Sequence, residues 1–210
     1  MLQLDAGSLP IGWTVLLGVA LVALLWLGGT YNGLVRMRQI MRESWSNVDT
    51  ELNRRYDLIP NLVAAVKGYA THERAAMEAV ISARAAAVAS TGSPASQAAD
   101  ENVLVQALRG LFAIVENYPQ LKANASFLSL QQELANTEDR IQAARRFYNA
   151  NVRDLNTRIG LFPSNLVASA FGFREAEFFE VEDAIVRVAP AVQWDAQNGK
   201  GPGTSNVKKA

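Results

Sequence analysis

A long apolar stretch near the N-terminus dominates the hydrophobic pattern. No charged residue occurs between Asp5 and Arg36, and residues 11–29 read IGWTVLLGVALVALLWLGG. Nineteen helical residues at about 1.5 Å each span the roughly 30 Å hydrocarbon core of a bilayer. Amphipathic aromatic side chains near both ends suit the membrane–water boundary. The pattern predicts a membrane anchor, marked by Ile11, Trp13, Trp26 and Gly29.

A cleaved signal peptide and a buried core helix are the alternatives for this stretch. The leader, residues 1–10, is acidic rather than basic, and no small-residue cleavage site follows the apolar run. Core helices rarely stay apolar over this length. A retained single-pass anchor is therefore expected.

The flanking charges predict the orientation of the anchor. Arg36, Arg38 and Arg42 follow it, whereas the leader contains Asp5 and neither Lys nor Arg. Loops rich in Lys and Arg stay on the cytoplasmic side of a membrane. We expect a single-pass membrane protein with a short N-terminus outside and a cytoplasmic C-terminal domain.

Beyond the anchor, apolar residues recur every three or four positions, which is typical of amphipathic helices. The first helix continues to about Leu52, and a second runs from about Asp57 to the loop at residues 90–94. Two more are expected over residues 100–118 and 126–160. No strand pattern competes, so the predicted fold class is all-α, with an N-terminal transmembrane helix followed by a bundle of long antiparallel helices.

This arrangement predicts where the loops and domains lie. The turn at residues 55–60 should be far from the membrane, the loop at 90–94 near it, and the Phe-rich segment after Phe162 should start near the membrane surface. The expected organisation is a leader, an anchor, a bundle and a flexible tail, at residues 1–10, 11–29, 30–190 and 191–210.

The polar cluster at the predicted distal turn has two interpretations. Asp57 can cap the second helix with Pro60 in its first turn, while an arginine covers the last carbonyls of the first helix. Alternatively, the cluster is a docking patch at the membrane-distal tip. The candidate docking or turn residues are Arg54, Arg55, Tyr56, Asp57, Pro60 and Asn61.

Five of the eight phenylalanines lie within residues 162–179. They can cover the base of the bundle, bind a protein partner or enter the membrane surface. Acidic residues at 175–183 disfavour an anionic lipid surface, so bundle packing or a protein partner is expected. The candidate partner surface comprises Phe171, Phe173, Phe178 and Phe179.

Several longer stretches indicate a family. YNGLV begins at Tyr31, RRYDLIPNLVAAVKGYATHE at Arg54, ENYPQLKANASFLSLQQEL at Glu116 and TEDRIQAARRFYN at Thr137. From Tyr31 to about Phe179 the chain resembles the LemA family. The resemblance implies a membrane-anchored helical domain with a short outer N-terminus and no established catalytic activity. One branch of that family is associated with forming magnetosome membranes, which implies membrane organisation.

Composition restricts the possible chemistry. The 210 residues include no cysteine and one histidine, and 20 basic residues balance 20 acidic ones. Thiol catalysis and iron–sulfur clusters are excluded, and nothing indicates nucleic-acid binding. His72-Glu73 lacks the second histidine of a zinc protease, since Ala76 occupies that position. No enzymatic activity, metal, cofactor or nucleic acid is expected.

Acidic residues of the later helices are interpreted as ion-pair partners rather than ligands of two metal ions, because histidine ligands are missing. They are Glu116, Glu133, Glu138 and Asp139, with Lys122, Arg140, Arg145 and Arg146 nearby.

The expected function is a non-enzymatic scaffold that self-associates and shapes membrane. The alternative is an adaptor or regulator of a membrane protease or signalling system. The expected partners are the lipid bilayer, through the N-terminal helix, and further copies of the chain or another membrane protein.

Overall fold

The computed structural model describes residues 11–182, and every regular element in that range is an α-helix. The elements are α1 (Ile11–Lys67), α2 (Arg74–Ala89), α3 (Pro94–Val115), α4 (Pro119–Lys122), α5 (Ala125–Gly160) and α6 (Ser164–Ala170). The predicted all-α fold class is confirmed. The leader and the flexible tail predicted from the sequence lie outside the described residues.

The anchor and the first bundle helix form one uninterrupted helix, α1. Its 57 residues extend about 85 Å at 1.5 Å per residue. Residues 12–27 are exposed on all sides, and this apolar part is long enough to cross a bilayer. Further along, Val48, Leu52 and Ile59 are fully buried in the bundle core. The predicted anchor and part of the bundle core therefore lie on one continuous helix.

The turn predicted near Asp57 is wrong, because the chain remains helical there. Asp57 is an exposed residue within α1 and caps nothing, and Pro60 lies inside the same helix. A proline cannot donate to the carbonyl four residues earlier, which here belongs to Tyr56. The Nε of Arg84 on α2 donates to that carbonyl oxygen at 2.7 Å. This replacement donor helps the helix to pass through Pro60.

The chain reverses direction at residues 68–73, beginning at Gly68. Helix α2 then returns for only 16 residues, about 24 Å. Because Arg84 is level with Tyr56, the loop at residues 90–94 lies beside the middle of α1, about 30 Å short of the apolar stretch. The expectation that this loop lies near the membrane is wrong.

The observed starts of α3 and α5 agree to different degrees with the starts predicted from the sequence. Helix α3 begins six residues before its predicted start, because Ser93 caps it and Pro94 occupies its first turn, where no N–H donor is needed. Helix α5 begins within one residue of its predicted start. The side chain of Asn124 caps it by accepting a hydrogen bond from the N–H of Phe127.

Helices α1 and α5 form the long antiparallel pair of the bundle. Trp45 packs on Tyr148 midway along it, with ring centroids 5.1 Å apart, and Leu34 clusters with Leu155 towards the anchor. Helices α2 and α3 pair beside the distal half of α1, while α6 packs at the proximal end. Residues 173–182, which we call the strap, then run back along the bundle.

Candidate functional site

A buried ion-pair cluster joins three helices at the centre of the bundle. Arg55 of α1 is 0% exposed and is the largest fully buried side chain of the described residues. Its Nη1 donates to Oε1 of Glu138 on α5 at 2.7 Å, and its Nη2 donates to Oε2 of Glu101 on α3. One guanidinium therefore holds α1, α3 and α5 together.

Tyr56 completes the cluster by donating its hydroxyl to Oε1 of Glu101. Burial raises the pKa of the Glu101 carboxyl, and the opposing effects of Arg55 and Tyr56 do not cancel this. Burial alone would lower the pKa of Arg55, but Glu138 and Glu101 outweigh it and hold that pKa above its ordinary value. The arginine stays charged, whereas Glu101 keeps its proton more tightly than an exposed glutamate.

The cluster connects helices and is closed to ligands. One cation faces two carboxylates, and all three side chains are almost completely covered. At the same level, Arg84 connects α2 to the backbone of α1. All four long helices therefore meet here, and removal of the central cation would leave buried carboxylates without compensation.

The sequence contains a signal for this cluster in the apolar stripes. Each of its charges stands where the helical spacing calls for an apolar residue, as in Leu52–Arg55–Ile59, Glu101–Leu104–Leu108 and Leu134–Glu138–Ile141. Glu101 was not among the predicted site residues. Glu138 and Glu116 were expected to be ion-pair partners, and both are. Glu138 pairs with Arg55 of α1 rather than with a basic residue nearby in sequence, and Glu116 pairs with Lys122.

The predicted docking or turn residues separate into two groups. Arg55 and Tyr56 are buried in the core and cannot contact a partner. The remaining four are exposed on α1, namely Arg54, Asp57, Pro60 and Asn61. The Nη1 of Arg54 lies 3.4 Å from Oε1 of Glu51 on the same helix. A docking role for the exposed group stays a prediction.

The strap is held by asparagine side chains. Asn149 donates to the carbonyl of Phe179 and accepts from its N–H, at 3.0 and 2.9 Å. Asn156, two turns further along α5, binds both backbone groups of Ala176 in the same way. On α3, Asn102 accepts from the N–H of Glu182 at 2.7 Å. These contacts, which the sequence analysis missed, replace backbone pairing for a segment outside any helix or strand.

The proposed phenylalanine surface is divided by the fold. Phe173 and Phe179 are buried, the first beside Tyr31 and the second edge-on to Trp45. They are therefore part of the bundle's own packing. Phe171 and Phe178 remain partly exposed and stay candidates for a partner surface.

The predicted anchor residues lie in the first third of α1, which does not pack against the bundle. Trp13 and Trp26 are exposed, as is Gly29, and Ile11 is the first residue of the helix. Nothing in residues 12–27 is buried against the bundle, which excludes a core helix of this fold.

His72 is exposed in the turn at residues 68–73, and its neighbour Glu73 accepts a hydrogen bond from the hydroxyl of Tyr118 at 3.1 Å. Within residues 11–182, no three side chains of His, Asp or Glu come together in a group able to hold a metal ion.

Comparison with known proteins identifies the family. The LemA family model matches residues 44–194. The chain belongs to the LemA family. It is similar to the magnetosome proteins MamQ 1 and MamQ 2 of Paramagnetospirillum magneticum, each 28% identical over 196 residues, which covers 81% of this chain and 71% of the relative. It is also 26% identical over 179 residues to magnetosome protein MamQ of Magnetospirillum gryphiswaldense, covering 73% of this chain and 66% of that protein.

The family match includes the buried cluster and the strap. The apolar stretch of α1 lies entirely before the matched residues, and its residues 12–27 are exposed on all sides. Together with the similarity to magnetosome proteins, these features make the chain a membrane-associated protein of the LemA type.

Proposed function

We propose that the chain is a membrane-anchored, non-enzymatic scaffold that self-associates and organises the membrane. The observation that carries this proposal is the continuity of α1 from the apolar stretch into the core. A helix without a hinge transmits the direction of the anchor to the bundle. Copies held in one plane at high local concentration can then meet repeatedly through the same faces.

Two further observations support a structural role. The buried charges are used to join helices, with Arg55 enclosed between Glu101 and Glu138. The similarity to proteins named as magnetosome proteins supports a function at a membrane. The expected location is the inner membrane, crossed once, with the short N-terminus outside and the bundle in the cytoplasm.

The orientation can be tested with single cysteines, because the chain contains none. Ser8→Cys and Ser205→Cys place one thiol on each side of the apolar stretch. An impermeant thiol reagent added to intact cells should label Ser8→Cys and miss Ser205→Cys until the cells are opened. Labelling in the reverse pattern contradicts the proposed topology.

The scaffold role can be tested by breaking the continuity of α1. A flexible Gly/Ser insertion between Gly29 and Thr30 uncouples the bundle while keeping it at the membrane, and the same insertion after Gly92 is the matched control. In reconstituted vesicles, energy transfer between labelled copies should be lost for the first variant and retained for the control. Equal energy transfer in both variants contradicts a scaffold that needs rigid coupling.

A shallow cavity favours the adaptor as a second candidate. It measures about 350 Å³ and lies between the distal parts of α1 and α2, with an apolar floor of Val63, Met77 and Ile81. Charged residues at its edge, such as Lys67 and Glu78, would orient a partner's side chain. Recovery of one foreign protein at equal stoichiometry, without self-association in vesicles, would favour this function over the scaffold.

A further inference from the structure

Exposed apolar side chains gather where α1 leaves the apolar stretch. Each is at least half exposed, and we call them the basal surface: Leu161, Phe162, Leu166 and Phe171. Phe162 is 79% exposed, the largest fraction of any large apolar side chain described. The ring of Phe171 packs on Tyr31, with centroids 4.9 Å apart, and Tyr31 lies in the first turn of α1 after the apolar stretch. The basal surface is therefore continuous with the anchor.

Positive charges predominate around the basal surface. Residues 30–42 contain three arginines, residues 155–174 contain two, and neither stretch contains Asp or Glu. Glu175 borders Arg174 at the start of the strap, whereas the strap carries its later acidic residues away from the base, since Glu182 reaches Asn102 on α3. Among residues 162–182, most of the acidity that disfavours lipid therefore lies along the strap and away from the basal surface.

We infer that the basal surface docks on the membrane that α1 crosses, with its apolar side chains in the boundary region and the arginines on anionic headgroups. Grouped exposed apolar residues mark an interaction site, and arginines beside them attract anionic lipid. Lipid is favoured over protein because a surface at the level of Tyr31 faces headgroups when residues 11–29 span the bilayer. Docking of this kind rests on the proposed anchoring and adds a second attachment of the bundle to the membrane.

The depth of single residues tests this inference in the full-length chain. Phe162→Cys and Leu166→Cys, each carrying an environment-sensitive fluorophore, report on the basal surface. Phe147→Cys is the matched control, since Phe147 is 55% exposed on α5, which leads into the basal surface, but lies about 20 Å further from the anchor. The proteins are reconstituted in phosphatidylcholine vesicles with or without phosphatidylglycerol, and helix content is compared by circular dichroism.

In vesicles with phosphatidylglycerol, the probes at positions 162 and 166 should shift to the blue and be quenched by lipids labelled near the headgroup. The probe at 147 should show neither effect. Two positions are used because they lie on different sides of Pro163, so a local folding defect caused by one substitution would not affect the other probe. If both behave like position 147 in anionic and zwitterionic vesicles, the docking inference is overturned.

A probe in the span separates this failure from failure of the anchoring. Leu24→Cys should be quenched by lipids labelled deep in the acyl chains. If it is quenched and positions 162 and 166 are not, only the docking inference fails. If position 24 is also unquenched, the proposed anchoring fails as well.

Charge reversal tests the role of the arginines. Arg158→Glu with Arg174→Glu, in the Phe162→Cys background, should weaken quenching in anionic vesicles and leave it unchanged in phosphatidylcholine. Arg140→Glu, an exposed residue at a distal position of α5, is the control and should change neither. Equal quenching in all these variants overturns the assignment to anionic headgroups.

Discussion

The Nε of Arg84 lies 2.7 Å from the carbonyl oxygen of Tyr56, the acceptor that Pro60 leaves without its helical N–H donor. A side chain of α2 thus supplies the hydrogen bond that the backbone of α1 lacks. A proline inside a helix costs about 3 kcal/mol, partly through this lost bond. The same contact fixes α2 at the level of the buried cluster.

Loss of the Arg84 contact should depend on Pro60. Arg84→Met keeps an unbranched apolar stem but leaves the carbonyl unpaired, so the free energy of unfolding should fall by about 1–3 kcal/mol. Pro60→Ala restores the N–H donor of the helix. In that background Arg84→Met should cost clearly less, as measured by urea unfolding of the detergent-solubilised chain. If the free-energy cost of the double variant equals the sum of the two single costs within about 0.5 kcal/mol, the two residues are not coupled.

Replacement of Arg55 should strongly destabilise the fold. Arg55→Met leaves Glu101 and Glu138 buried without their cation, and breaking a buried ion pair in this way costs about 3–5 kcal/mol. Arg54→Met changes the neighbouring, exposed arginine and should alter the unfolding free energy by about 0.5 kcal/mol or less. Similar effects of the two substitutions on thermal unfolding would contradict the cluster's role.

The raised pKa of Glu101 predicts the sign of a pH dependence. Because the folded chain holds this proton more tightly, the contribution of Glu101 to stability is fully present below its ordinary pKa of 4.5 and is lost as the pH rises through the raised value. The unfolding free energy of the wild type minus that of Glu101→Gln should therefore decrease as the pH rises from about 4. A difference that increases with pH would contradict the assignment.

Release of the strap should follow loss of one asparagine. Asn149→Ala removes two hydrogen bonds to Phe179, each contributing about 0.5–1.5 kcal/mol. Hydrogen exchange measured by mass spectrometry should become faster in residues 176–182 and stay unchanged in α2. Asn136→Ala, an exposed asparagine of the same helix, is the control. Equal protection of the strap in both variants would show that the hydrogen bonds of Asn149 do not hold it.

The helices and their apolar faces could be predicted from sequence because their period of three to four residues is local. The position of the first turn could not. Pro60 is a strong helix-breaking signal, and its effect is offset by Arg84, which is 24 residues later and reaches it only in the folded bundle. Gly68, the residue that follows the real end of α1, is the weaker signal of the two.

The candidate site could also be predicted only where its contacts are local in sequence. Arg55 could be recognised as unusual, but its partners Glu101 and Glu138 lie on helices whose register the sequence does not reveal. The asparagine contacts of the strap also join residues 20 to 80 positions apart. By contrast, the cap at Asn124 was predictable, because it involves the N–H only three residues away.

With the apolar stretch anchored as proposed, the unbroken course of α1 makes it a lever with its pivot in the bilayer. Beyond Gly29 the helix continues for 38 residues, about 57 Å, so a change in tilt of about 20° moves its far end sideways by about 20 Å. Apolar helices tilt when the bilayer is thinner than their span. A small difference in membrane thickness is thereby amplified into a large displacement of the turn at residues 68–73.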